Sequence, residues 1–143
     1  MDNPEVMNLE LNAVVLPVED VRMVTDWYVE QLDLDVVQQN SSSTTLAGAN
    51  GFALELRKGH PLDHPERVHL LFHAENIEAI YNRMNDAQIQ PFTDPQLTEH
   101  GRRVTTVHDP AGHTIEIFEL SRKDTTQDLS MYSKAEPGRV SAN

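Results

Sequence analysis

Glu55, His69 and Glu116 are the residues of this chain whose types and positions could do chemistry. Each glutamate interrupts an apolar, strand-like run, Ala53-Leu54-Glu55-Leu56 and Thr114-Ile115-Glu116-Ile117, and His69 opens a third run that ends at His73. A carboxylate inside an apolar strand costs several kcal/mol unless it is paired or bound to a cation. An imidazole and two carboxylates form a donor set that suits a divalent ion such as Zn, Ni, Mn or Fe(II). On this reading Glu55, His69 and Glu116 are candidate metal ligands, and Glu116 and Glu55 are also the candidate groups for moving a proton. The competing reading leaves each glutamate on a solvated sheet face, or pairs it with Arg57, Arg102 or Arg103. Alternate residues of a strand share a face, so His73 lies with His69 and is a candidate pocket residue. Arg103 is a candidate for holding an anionic group at the pocket mouth. His60, His64 and His100 sit in loops beside proline or glycine, and His108 and His113 flank a turn. All five are expected at the surface.

The elements that must position these residues occur twice. A β-branched, apolar run from about Leu9 to Val18 predicts a strand buried on both faces, and Glu19-Asp20 supplies a helix cap and first-turn acid. Val21, Val24, Trp27, Tyr28 and Leu32 follow at helical spacing, predicting a helix over 20–33 with Trp27 packed on a sheet. Three short strands are predicted near 34–39, 43–47 and 51–57, separated by turn-prone Asn40-Ser41-Ser42 and Gly48-Ala49-Asn50-Gly51. After a proline-rich linker the pattern restarts at Val68, with a helix predicted from Asn76 to Ala87. Strands follow over 103–107 and 113–120, joined by the turn Asp109-Pro110-Ala111-Gly112; residues 91–101 read as a weak strand or a loop. The expected organisation is a lead-in (1–7), one domain (8–121) made of modules 8–60 and 66–121, and a polar tail (122–143). The tail reads as mobile, or as an arm anchored on a partner by Met131 and Tyr132. A unit present only twice suggests two packed βαβββ modules, not a solenoid.

Bulk properties narrow the function. With 143 residues the chain is large enough for one cored domain. Its formal net charge of −12, from 23 acidic and 11 basic residues, repels phosphate backbones and anionic lipid, so neither nucleic acid nor membrane is an expected partner. It has no cysteine, which excludes disulfides and thiolate chemistry and fits an expected cytoplasmic location. No apolar stretch approaches the ~20 residues that span a bilayer, and no signal-peptide pattern opens the sequence.

Three segments carry a family resemblance: the opening VVLPVEDVRMVTDWYVEQLDLDVV, the restart VHLLFHAEN and the closing DPAGHTIEIFEL. Over about residues 9–120 the chain resembles the vicinal oxygen chelate superfamily, also called the glyoxalase/bleomycin-resistance/dioxygenase superfamily. The resemblance implies an α+β fold, with two βαβββ modules forming an open, cup-shaped sheet and helices on its outer face, in a homodimer that binds a small molecule. It also implies ligands from the first and last strands of each module. His69 and Glu116 match the second module's pair and Glu55 the first module's closing ligand, while Ala13 stands where metal-binding relatives carry histidine. Two activities are then expected. One is a metal-dependent lyase or isomerase, or a dioxygenase-type enzyme, working through an enolate-like intermediate. The alternative is a metal-free small-molecule binding protein like those of the bleomycin-resistance branch.

Overall fold

A computed structural model of the chain describes residues 6–49, 51–89, 95–97 and 101–120. The expected tail, with Met131 and Tyr132, lies outside the described residues, as do His100 and much of the 91–101 stretch. The chain divides into two compact units between Asp63 and His64.

The first unit runs β1 (Ala13–Val18), α1 (Val21–Leu32), β2 (Asp35–Gln39), β3 (Ser43–Ala47) and β4 (Ala53–Lys58). Its sheet has the order β1-β4-β3-β2, with β1 parallel to β4 and the other pairs antiparallel. α1 begins where the sequence places a cap: Asp20 is extended, and its side chain accepts a hydrogen bond from the Met23 N–H at 3.1 Å. The helix ends at Asp33, whose left-handed backbone (φ 59°) turns its N–H back to the Tyr28 carbonyl. Val24, Thr25 and Tyr28 are buried, and so are Leu16, Val18, Leu46, Leu54 and Leu56. All five sheet residues share one parity, so α1 covers one face of the sheet only. Trp27 is not the core residue expected of it. Tyr28 is fully buried and Trp27 stands edge-on to it, half-buried, at 5.0 Å between ring centroids.

That one-sided burial corrects the reading of β1. The apolar density there suggested burial on both faces, yet Val15 remains 42% exposed, and Leu9 and Leu11 precede the strand as exposed coil. Leu16 and Val18 face α1, whereas Ala13 and Val15 lie on the face that no helix of this unit covers.

The second unit repeats the plan after a short 3-10 turn (Pro65–Arg67): β5 (His69–His73), α2 (Ile77–Asp86), β6 (Gln96–Leu97), β7 (Arg102–His108) and β8 (Thr114–Leu120). The sheet order is β5-β8-β7-β6, the same arrangement. Asn76 caps α2 by accepting from the Ala79 N–H at 3.2 Å. A second acceptor comes from the sheet, where Glu119 Oε1 takes the Ile77 N–H at 2.7 Å. A carboxylate against a helix N-terminus is favoured by the helix dipole as well as by the hydrogen bond. Ile77, Met84, Ile115, Ile117 and Val107 form the buried layer between α2 and the sheet. Burying a side chain of this size stabilises by about 1.5–3 kcal/mol.

The turn before β8 is tied down from within. Asp109 Oδ1 accepts from the Ala111 and His113 N–H groups, both at 2.9 Å, and Gly112 has φ +96°. A Cβ at position 112 would lie 3.0 Å from Pro65 Cγ. Left-handed backbone costs an ordinary residue roughly 1–2 kcal/mol. Gly112→Ala is therefore expected to lose at least that much stability in urea unfolding; an unchanged midpoint would show that the turn relaxes freely.

Candidate functional site

Each sheet has one face under its helix and one face free of it. In the second unit the free face carries His69, Leu71 and His73 from β5, Thr114, Glu116 and Phe118 from β8, and Val104, Thr106 and His108 from β7. Arg102 belongs to it as well. The opposite parity, with Thr105, Val107, Ile115 and Ile117, is buried against α2.

On this face the structure brings together two of the three candidate ligands. Strands β5 and β8 are parallel with His69 opposite Thr114 and Leu71 opposite Glu116, so the histidine and the glutamate are diagonal neighbours. His69 Nδ1 and Glu116 Oε2 lie 2.7 Å apart, and an ionised carboxylate can only accept, so the ring N–H donates. The pair is open to solvent, its side chains being 51% and 29% exposed. Beside it Leu71 is 46% exposed.

Glu55 occupies the matching rung of the first unit. There Val15 is opposite Glu55 as Leu71 is opposite Glu116, and Ala13 is opposite Ala53 as His69 is opposite Thr114. The repeat thus extends to register, but Ala13 leaves Glu55 with no imidazole to meet. Arg57, two residues on, takes the place of that partner: its Nε and Nη2 approach Glu55 Oε2 at 2.9 and 2.7 Å.

The donor types of His69 and Glu116 fit a divalent cation, and their atoms already converge. Ala13 contributes no donor, and one oxygen of Glu55 is engaged by an arginine. Among the described residues no group of three or more His, Asp or Glu side chains converges as a metal site would.

The remaining candidates separate by parity. His73 lies on the free face, exposed, with its ring 5.3 Å from that of Phe118. Arg103, expected at the pocket mouth, faces α2 instead and forms an ion pair with Glu78. Its neighbour Arg102 holds the free-face position, its guanidinium carbon 4.9 Å from the centre of the Phe118 ring. That stack escaped the sequence reading, because nothing in a run of two arginines says which of them faces the helix. The signal that could have decided it was the core parity of Val107.

His113 also departs from expectation. It is 1% exposed, not a surface residue, and its Nδ1 lies 2.7 Å from Asp109 Oδ2, itself fully buried in its side chain. His64 does lie at the surface, 3.5 Å from Glu66.

Comparison with known proteins agrees with this architecture. Among solved structures, a bleomycin resistance determinant encoded on the transposon Tn5 superposes with a TM-score of 0.65 at 17% identity, over 79% of this chain and 99% of that one. TnmS3, an antibiotic binding protein from Streptomyces sp. CB03234, gives a TM-score of 0.69 at 22% identity, over 82% and 100%. A glyoxalase/bleomycin resistance protein/dioxygenase from Nocardioides gives 0.66 at 17%, over 83% and 88%. No curated protein matches the sequence. The family model of the Glyoxalase/Bleomycin resistance protein/Dioxygenase superfamily matches residues 10–117, most of the chain, and the protein belongs to that superfamily.

Proposed function

We propose that this protein binds a small organic molecule against the free face of its second unit, with the His69–Glu116 pair as the polar contact. The observation that carries the reading is that pair itself: a hydrogen-bonded imidazole and carboxylate, half open to solvent, on the one face of the sheet that α2 does not cover. Exposed Leu71 and His73 beside it offer apolar and aromatic contact area. An apolar surface with a few placed polar groups is how small-molecule sites orient their ligands. Relatives of this fold named for bleomycin resistance and antibiotic binding are in keeping with sequestration as the task.

A second reading, a metal-dependent lyase or isomerase, is favoured by the repeat, which puts Glu55 and Glu116 on matching rungs. His69 and Glu116, with Glu55 as the first unit's contribution, would then hold Zn, Ni, Mn or Fe(II). A bound ion of this kind polarises substrate oxygens and stabilises negative charge developing on them. In that case Glu116 Oε2 is the atom placed to take up or return a proton, with His69 orienting it. Under either reading we expect a homodimer, since exposed Val15 on edge strand β1 and exposed Leu9 and Leu11 just before it are a surface a second copy would cover. A cysteine-free chain also suits a cytoplasmic location.

Metal analysis of protein purified without chelators, followed by a thermal-shift screen of small organic compounds with and without EDTA, separates the two. The binding reading expects metal-free protein whose melting temperature rises with ligand concentration and ignores EDTA. Stoichiometric metal that is lost in both Glu116→Ala and Glu55→Ala would overturn it in favour of the enzyme.

A further inference from the structure

The first unit holds a cleft on the side of its sheet that α1 covers, opposite that sheet's free face. One wall is the start of α1, with Val21, Arg22 and Asp26, and the other is the end of the β2–β3 hairpin, with Gln39, Asn40 and Thr44. Thr44 is opposite Gln39 on one side and Leu56 on the other, so its side chain leaves the sheet on the buried, α1-facing parity. The cleft has a volume of about 590 Å³, within the range of sites that take small organic molecules.

Two features of this cleft are left unused by the fold. Thr44 is fully buried, yet its hydroxyl has no hydrogen-bond partner among the described residues. A buried hydroxyl without a partner costs free energy that a bound polar group would return. Arg22 and Asp26 are four residues apart on α1, the spacing at which opposite charges on a helix pair, but among the described residues neither forms an ion pair. The hairpin end beside them is held in place. Asn40 Oδ1 accepts from the Ser42 and Ser43 N–H groups at 2.8 and 3.0 Å, which leaves its side-chain NH2 to donate elsewhere.

We propose that this cleft is a second binding site, and that its ligand is a small zwitterion of the amino-acid type. Arg22 is the second residue of α1, so a carboxylate bonded to its guanidinium also meets the positive end of the helix dipole. Asp26, one turn further on, takes the ammonium, and the Thr44 hydroxyl on the floor accepts a further N–H. The lining carries one cation and one carboxylate, so a ligand with a single charge leaves one of them unmatched. The site lies in the first unit and does not depend on the His69–Glu116 pair.

γ-Aminobutyrate, butyrate and butylamine share a carbon chain and differ in the charges they carry, which suits them as probes for NMR titration of the full-length protein. The wild type is expected to bind γ-aminobutyrate at least about tenfold more tightly than either singly charged compound, because it alone makes both charge-assisted contacts. The shifts should fall on amides of residues 21–26 and 39–44, and the preference should shrink as salt is added. Arg22→Met should bring γ-aminobutyrate down to the affinity of butylamine, and Asp26→Asn to that of butyrate. Thr44→Val keeps the branched shape and loses no protein partner, so it should weaken γ-aminobutyrate about three- to tenfold without lowering the melting temperature. Equal affinity for the three probes, or a preference that survives Arg22→Met or Asp26→Asn, overturns the zwitterion site. A Thr44→Val variant that melts lower and binds as wild type overturns the part given to that hydroxyl. Probes that shift none of these amides overturn the cleft as a site and leave the reading of the second unit standing.

Discussion

Replacing His113 with alanine is expected to lower the thermal midpoint by about 10 °C. His113 Nδ1 and Asp109 Oδ2 lie 2.7 Å apart with side chains 1% and 0% exposed. Removing His113 takes the imidazole away from Asp109 Oδ2, and breaking a buried pair of this kind typically costs about 3–5 kcal/mol. At roughly 2–4 °C per kcal/mol for a chain of this size, a shift near 10 °C follows. Asp109→Ala should cost at least as much, because Asp109 Oδ1 also accepts the Ala111 and His113 N–H groups and so shapes the turn into β8. Asp109→Asn should be milder, as the amide oxygen can keep those two backbone bonds. Calorimetry on the three variants checks the order. A midpoint within about 2 °C of wild type for His113→Ala would mean that the cavity fills with water and the pair is not holding the turn.

The same turn shows where sequence reading works and where it stops. Asp-Pro-Ala-Gly announces a reversal by residue type alone, and the structure puts one there with Gly112 in the left-handed region. The imidazole that follows was read as exposed because a histidine beside a turn is polar and turns lie on surfaces. Only the buried carboxylate four residues earlier makes burial tolerable, and burial of a loop is a tertiary fact. Strand β1 failed for a related reason. Dense β-branched residues report that a strand forms, but not how many of its faces are covered, and Val15 proved to lie on the free one. Trp27 and Tyr28 are adjacent, both fit an amphipathic stripe, and a few degrees of helix rotation decide which one enters the core.

For the candidate site, legibility followed parity. Alternation placed His73 with His69 on one face of their strand, and the register of the parallel β5–β8 pair brings Glu116 of the neighbouring strand into contact with His69 on that face. The repeat told in advance that Glu55 and Glu116 would hold equivalent rungs, which they do. The competing reading named Arg57 as a partner for a glutamate, and Arg57 does bond Glu55; the repeat alone could not choose it, because side-chain pairing between alternate residues of one strand depends on what stands across from them. Ala13 stands where an imidazole would have competed. Arg102 and Arg103 illustrate the cost of one residue of ambiguity: shifting the phase by one exchanges an ion pair with α2 for a stack on Phe118.

Glu116→Ala is expected to do the reverse of His113→Ala, weakening ligand binding on the free face by about 10- to 100-fold while moving the melting temperature by no more than about 3 °C. The His69–Glu116 and His113–Asp109 pairs of this unit have the same 2.7 Å separation. Their surroundings differ, and surroundings set the energy. With side chains 51% and 29% exposed, His69 and Glu116 exchange a protein hydrogen bond for water at little net cost, and such exposed pairs contribute about 0–1 kcal/mol to folding. A ligand that covers them removes the water, and a contact to a charged group then contributes about 1.5–3 kcal/mol, which is the affinity loss expected on truncation. Because His69 fixes the carboxylate through Nδ1, His69→Ala should weaken binding too, and the double variant should lose less than the sum of the single losses. Calorimetric titration and thermal melts of wild type, both single variants and the double variant, with the same compound throughout, give both quantities at once. Additive losses would mean that the histidine and the glutamate meet the ligand separately. A melting temperature that falls as far for Glu116→Ala as for His113→Ala would mean that the pair is part of the fold, and that an open, hydrogen-bonded imidazole and carboxylate on an uncovered sheet face had been mistaken for a binding site.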